Sequence, residues 1–480
     1  MLKKTAIDTR GKVDDGDNML KENVPLTIAE DGSYSIPSDK INLAGLESGA
    51  TYTLIIASNM EDKNTADVSF SFDAMQFKVK TTAASTQFTM PIATGATSAI
   101  AILWGDTDGK DDKEILTVDA TNRAKTYATA GTYTVRLLAA QTDRTQKQIP
   151  EFNFGKYPTV TWDGNNTYNR NTNAEMLVSV DSPLLNSDAT DLGGVFYGTA
   201  NLSSIHEDAF RYYPNATSFY DAFYTVNTAL NNSMTAIPAK LFAYNTKVTN
   251  FCETFGNLRA LVSVPEDLFA NCQNATDMSY TFYSCKALTT VPANLFANNK
   301  SITTFRNLFG SCSALNNVPA ALFANNTEVT TFVLTFRSCT SLKSVPKGLF
   351  ANNKKAFNFC NTFHGCNSLV DFEYVFINND SEKATRFASL DKPIDVNNML
   401  SGVGSSSTSG AANYNAIDFS SYTYSANGGF TWDKDQAPYV NAATTFKNYS
   451  TVSKYYGGYV TSCAAKGAVA YPNGYGWDAI

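Results

Sequence analysis

Five prolines, Pro238, Pro265, Pro292, Pro319 and Pro346, stand 27 residues apart, each in the reading Val/Ile-Pro-x-x-Leu-Phe-Ala. Three further ladders keep the same register. One is Phe255, Phe282, Phe309, Phe336 and Phe363. Another is Cys285, Cys312, Cys339 and Cys366, with Leu258 in that place one turn earlier. The last is Leu261, Leu288, Leu315, Leu342 and Leu369. A period of this length marks a stack of short supersecondary units. Phe219 and Phe223 match Phe251 and Phe255 but lie 32 residues earlier, which places a five-residue insertion within Thr225–Met234. Leu192, Phe196, Leu202, Ile205 and Phe210 form a degenerate turn, with His206 in the proline's place. Turns starting at Leu192, Phe219, Phe251, Met278, Phe305, Phe332 and Phe359 give about seven coils, the last one decayed.

No single coil can bury its own apolar face, whereas stacked coils share one core. Residues 288–312 give the expected path of one coil. Leu288-Thr-Thr-Val291 is β-branched and precedes a proline, so it predicts a strand. Pro292 suits the first position of a helix. Ala293–Ala297 predicts a short helix that buries Leu295 and Phe296. Asn298-Asn299 ends it, because asparagine tolerates the left-handed backbone of a helix terminus. Ser301 to Phe305 begins a return leg. Each buried Leu or Phe contributes roughly 1.5–3 kcal/mol, so the ladders are structural.

The string Phe-x-x-Cys-x-x-Leu-x-x-Val-Pro-x-x-Leu-Phe resembles the BspA-like leucine-rich repeats of bacterial surface proteins, over roughly residues 192–370. Upstream, Trp104-Gly-Asp106 followed by Tyr127-x-x-x-Gly131-x-Tyr133-x-Val135 resembles the polycystic-kidney-disease (PKD) domain, an immunoglobulin-like β-sandwich. Leu46-Glu-Ser-Gly-Ala-Thr-Tyr52 with Phe77-Lys-Val-Lys-Thr81 is similar to a fibronectin type III domain. The expected fold is therefore mixed: two N-terminal all-β immunoglobulin-like sandwiches, an α/β leucine-rich-repeat solenoid and an irregular β-rich C-terminal segment. The expected divisions are 1–82 (fibronectin type III-like), 83–145 (PKD-like), 146–191 (solenoid cap), 192–385 (solenoid) and 386–480. The last opens with the linker-like Ser401–Gly410 and ends rich in tyrosine, with Tyr455, Tyr456, Tyr459, Tyr471, Tyr475 and Trp477.

Composition narrows the function. The net charge is −7 without a basic cluster, so nucleic acid is not an expected partner. No run of about 18 apolar residues is present, so no transmembrane segment is expected. The N-terminus lacks an apolar signal core, so an export signal, with or without a lipid anchor, is expected upstream of Met1. The chain holds only two histidines, His206 and His364, at different repeat positions, which disfavours histidine-based catalysis. The eight cysteines include no C-x-x-C pair, and the ladder cysteines are expected to be buried free thiols. Asp106-Thr-Asp108-Gly-Lys-Asp111 has the alternating carboxylates calcium favours, making calcium the one candidate cofactor.

The expected binding row follows from the solenoid. Between the repeat Leu and Val lie Ser263, Thr289, Thr290, Asn316, Asn317, Lys343 and Ser344, the face on which solenoids take extended partners. Tyr280 and Tyr283, with Tyr220 and Tyr224, are candidates for stacking on sugar rings. The expected protein is a non-catalytic, monomeric adhesion or ligand-binding protein, secreted or anchored at the outer membrane, with an extracellular protein as its partner. A carbohydrate-binding surface protein is the alternative, and a polysaccharide hydrolase in the C-terminal segment the weaker one.

Overall fold

The computed structural model describes residues 65–91, 100–105, 113–116, 124–141, 153–155, 174–184, 189–225 and 233–369, together with shorter stretches, most of them strands at 2–7, 13–14, 27–28, 34–35, 51–57, 371–373, 375–376, 399, 413–415, 422–425 and 429–432. Asp106, Asp108 and Asp111, the Ser401–Gly410 linker, Cys463 and the tyrosine-rich end lie outside the described residues. Two compact units divide the chain: Met1–Ala216 with Thr225–Asn245, and Thr217–Tyr224 with Thr246–Ile480.

In the first unit the expected boundary after residue 82 does not separate two sheets. Phe77-Lys-Val-Lys-Thr81 is the end of one long strand, Thr65–Thr81. Its first part pairs with Thr51–Ala57 and its second with Gly131–Gln141, both antiparallel. The alternating apolar positions shift by one between Phe72 and Met75, from Val68, Phe70 and Phe72 to Met75, Phe77 and Val79, but no glycine or proline interrupts the stretch and the strand runs through. Gly131–Gln141 in turn pairs with Ile100–Leu103. Phe77, Phe88, Trp104 and Phe154 are fully buried and meet as tilted or edge-on rings 4.9–6.5 Å apart, the arrangement their quadrupoles favour. The residues quoted for the PKD resemblance come together here. Tyr127 stacks on Tyr133 at 3.9 Å and its hydroxyl donates to the Trp104 carbonyl at 3.0 Å. Gly105 is in the left-handed region at φ 75°, and a Cβ there would lie 2.4 Å from the Thr134 carbonyl oxygen, so only glycine fits.

Leu177–Val180, inside the expected cap, lies between Thr65–Thr81 on one side and the parallel strand Ser204–Ile205 on the other. The first coil thus begins as an extension of the sheet. Within this unit Phe210 stacks on Phe242 at 5.9 Å, and Asn245 Nδ2 donates to the carbonyls of Phe210 and Tyr213.

In the second unit, the interior is a set of phenylalanine ladders. Phe255, Phe282, Phe309, Phe336 and Phe363 stack with centroids 5.4–5.8 Å apart and ring planes within 16°. Phe269, Phe296, Phe323 and Phe350 make a second row at 5.9–6.4 Å. Leu261, Leu288, Leu315, Leu342 and Leu369 are fully buried beside them.

At the expected strand position, Ser204–Ile205 and Ser344–Val345 are strands, while the other coils take a different path from the expected strand and helix. Residues 288–291 form no strand, and 293–298 form turns closed by i→i−3 bonds, such as Ala297 N–H to the Asn294 carbonyl. The physical reason is the tightness of the coil, which turns again at Asn299 before a helix could close a further bond. Among the described residues the one helical element is the 3₁₀ turn Ala174–Met176. Parallel pairing runs instead along the return leg, through single bridges linking Ser218, Asn250, Asp277, Thr304, Thr331 and Asn358 in order.

Residues 305–312 account for every backbone N–H of this leg. Phe305, Asn307, Phe309 and Ser311 donate to Thr331, Val333, Thr335 and Arg337 of the next coil. Leu308, Gly310 and Cys312 donate three residues back within their own coil. Arg306 N–H is taken by Thr304 Oγ1. That side-chain turn explains why the bridge position holds only Ser, Asn, Asp or Thr. Alternating bonds outward and back require a left-handed residue every fourth position. Glu253, Tyr280, Asn307, Leu334 and Asn361 have φ between 51° and 63°, and Asn257, Ser284, Ser311 and Ser338 between 57° and 62°. A recurrence in every coil makes this conformation a property of the scaffold, offset by the bonds between coils.

Two buried polar ladders tie the coils further. Asn299 Nδ2 donates to the carbonyls of Phe269 and Cys272, Asn326 Nδ2 to Phe296 and Asn299, and Asn353 Nδ2 to Phe323 and Asn326, all at 2.8–3.0 Å. Each ladder cysteine is a free thiol whose Sγ–H donates to the phenylalanine carbonyl of the preceding coil, at 3.1–3.4 Å. Burial pushes the thiols of Cys312 and Cys366 up to about 12, so they stay protonated donors rather than reactive thiolates. Toward the end of the repeat, Ser344–Val345, Asp371–Glu373 and Asn413–Asn415 form a short parallel sheet.

Candidate functional site

The polar row between the repeat Leu and Val is at the surface. Ser263, Thr290, Asn316, Asn317 and Lys343 are exposed, and Thr289 and Ser344 are half-buried. Neighbouring coils are joined along it at few points, among them Asn316 N–H to the Thr289 carbonyl. Only Ser344 of this row belongs to a strand. The row carries no titratable cluster and no aromatic side chain.

Tyr280 and Tyr283 belong to a different leg, the left-handed one, and there the structure gathers more chemistry. Their rings meet edge to face at 5.7 Å. The Arg306 guanidinium lies over the Tyr280 ring at 6.0 Å, and its Nε donates to the Tyr280 hydroxyl at 3.4 Å. A contact of this kind is worth about 0.5–1 kcal/mol near the surface. In register with Tyr280 are Asp221 and Glu253 on one side and Asn307 on the other; in register with Tyr283 are Tyr224, Gly256 and Gly310. The Tyr224 ring occupies the space over Gly256, where a Cβ would come within 2.6 Å of it. Over Gly310 the occupant is Asn307 itself, its Oδ1 1.8 Å from where a Cβ would sit. That Oδ1 is buried and accepts no hydrogen bond.

Electrostatics here are dominated by carboxylates. Burial holds the Glu253 carboxyl above the usual carboxylate range and Asp277 adds to the rise, while a hydrogen bond with Asp221 opposes it. Burial likewise raises the Tyr224 phenol, with Glu253 and Asp221 adding to the effect and Arg259 countering it. Among the described residues, no group of three or more His, Cys, Asp or Glu is arranged to hold a metal ion. The two histidines serve other ends. His206 Nδ1 accepts the Asp208 N–H, and His364 is depressed by burial and then by Arg337.

Reading along the sequence for tyrosines finds Tyr280 and Tyr283 but passes over Glu253, Arg306 and Asn307. The signal was in the register: positions equivalent to Tyr280 vary in charge and size while their neighbours two residues on stay phenylalanine. Compared with protein-family models the chain matches none, and a search of curated proteins finds no match. Among the described residues, no helix is long and apolar enough to cross a membrane.

Proposed function

We propose that this is a non-catalytic extracellular binding protein, built on a BspA-like leucine-rich-repeat solenoid and displayed at the cell surface or secreted. Its partner is an extracellular protein or glycan, met by the side chains that the stacked coils hold outward. One observation carries the reading: within each coil of the second unit the fully buried ladder positions repeat, while the positions two residues earlier on the left-handed leg, most of them half-buried, change from coil to coil on one unchanging backbone. A surface of that kind diversifies contacts without refolding, as repeat proteins do. Binding of the whole chain to a panel of immobilised extracellular-matrix proteins and to a glycan array tests it. Saturable binding to a member of either panel is the expected result. No binding to any of them, or turnover of a polysaccharide by the purified chain, would overturn it.

A further inference from the structure

The left-handed leg around Tyr280 has features that fit a particular ligand chemistry. Two half-buried rings lie edge to face, and a third, Tyr224, stands in the row of Tyr283 two coils away. Rings with a few placed polar groups around them are the usual make-up of a small-molecule or sugar subsite. The polar groups here are planar: the Glu253 carboxyl, the Arg306 guanidinium and the Asn307 amide. The Asn307 side chain is only 3% exposed and its Oδ1 takes no donor from the protein. A buried carbonyl oxygen left without a donor is destabilising, and a hydroxyl donor would relieve that cost.

Charge decides between ligand classes. The centres of protein interfaces are depleted of charged side chains, whereas Arg306 lies over the Tyr280 ring and Glu253, with Asp277 acting on it, holds the equivalent place on the preceding coil. The large apolar residues exposed among the described ones, Tyr244 and Val262, lie elsewhere. The acids Asp221, Glu253 and Asp277 act on Tyr224 and Cys252 of this leg against Arg259 and Arg306 alone, an acidic balance that opposes sulfated or uronic-acid chains.

We infer that Tyr280, Tyr283, Arg306, Asn307 and Glu253 form a subsite for a neutral saccharide, the rings covering the apolar face of a sugar and the planar groups meeting its hydroxyls. The inference rests on the binding-protein reading above and names the ligand class of one surface. Asn307 reaches a hydroxyl by swinging its amide off Gly310, a side-chain rotation that leaves the backbone in place.

Affinity electrophoresis of the full chain in gels containing soluble starch, galactomannan, mixed-linkage β-glucan or arabinoxylan, with heparin as the polyanion, tests it. Retardation by at least one neutral polysaccharide and none by heparin is expected. Tyr280→Asn combined with Tyr283→Ala should weaken that binding tenfold or more; asparagine is chosen because it suits the left-handed backbone at position 280. Tyr283→Phe should retain binding. Arg306→Gln keeps both tyrosines and should weaken binding while lowering the melting temperature only by the loss of one surface cation–π contact, which separates lost contact from lost fold. Retardation that survives the double substitution overturns the inference. A chain that binds a matrix protein but no neutral polysaccharide overturns it while the binding-protein reading stands, and a chain that binds neither overturns both.

Discussion

From coil to coil, the position of Phe255 is taken by Phe282, Phe309, Phe336 and Phe363, all fully buried. Two residues earlier on the same leg, the occupants are Glu253, Tyr280, Asn307, Leu334 and Asn361. Both positions send their N–H to the next coil; Phe282 donates to Leu308 and Tyr280 to Arg306. The backbone therefore treats the two alike, and the difference lies in where the side chains go. Inward, each ring must match the ring above and below it at a stacking distance of 5.4–5.8 Å, so one residue type recurs. At the other position, where the side chains are half-buried or, at Asn307, buried, no ring stack has to be matched, and acid, ring, amide and aliphatic all tolerate the left-handed φ once the bonds between coils hold them. Sameness inside marks structure, and variety outside is available for recognition.

The sharpest way to break this contrast is to truncate an inner ring. Phe309→Ala should cost roughly 3–5 kcal/mol, because the ladder above and below cannot close the cavity, and it should lower the denaturant midpoint of the second unit accordingly. Asn326→Ala should cost less, about 2–3 kcal/mol, since it strips one donor from each of two buried carbonyls without opening as large a void. The outer position should give the smallest effect, and one that depends on pH. Glu253 is raised by burial, so the folded state holds its proton over a window above the ordinary carboxylate range. Its contribution to stability is complete below that window and is lost as pH rises through the folded value. Glu253→Gln cannot ionise, so the variant should melt above the parent at neutral pH and converge with it in acid. A variant that melts lower at neutral pH would reverse the assignment.

The ladders were legible in the sequence because identical residues at a fixed interval admit few other readings. The trio Trp104, Tyr127 and Tyr133 was legible through its resemblance to the PKD domain. The course of the return leg was not. Left-handed backbone is signalled by glycine or asparagine, and here the same conformation is imposed on Glu253, Tyr280 and Leu334 by bonds to a neighbouring coil. The expected strand at Leu288–Val291 failed for the complementary reason. Its β-branched residues favour extension, but that leg makes few bonds between coils, so local preference alone does not build a ladder there. Tyr280 and Tyr283 could be named as candidates, yet Arg306 and Asn307 join them only through contacts across a coil boundary, which spacing along the chain does not display.

Residue-resolved native-state hydrogen exchange puts the claim of one backbone under varied side chains to the most direct trial. The amides of Tyr280, Asn307 and Leu334, at the variable positions, should be protected to within an order of magnitude of those of Phe282, Phe309 and Phe336. Rapid exchange at the first three beside slow exchange at the second would show that the outer positions are not held by the stack, and would contradict the account.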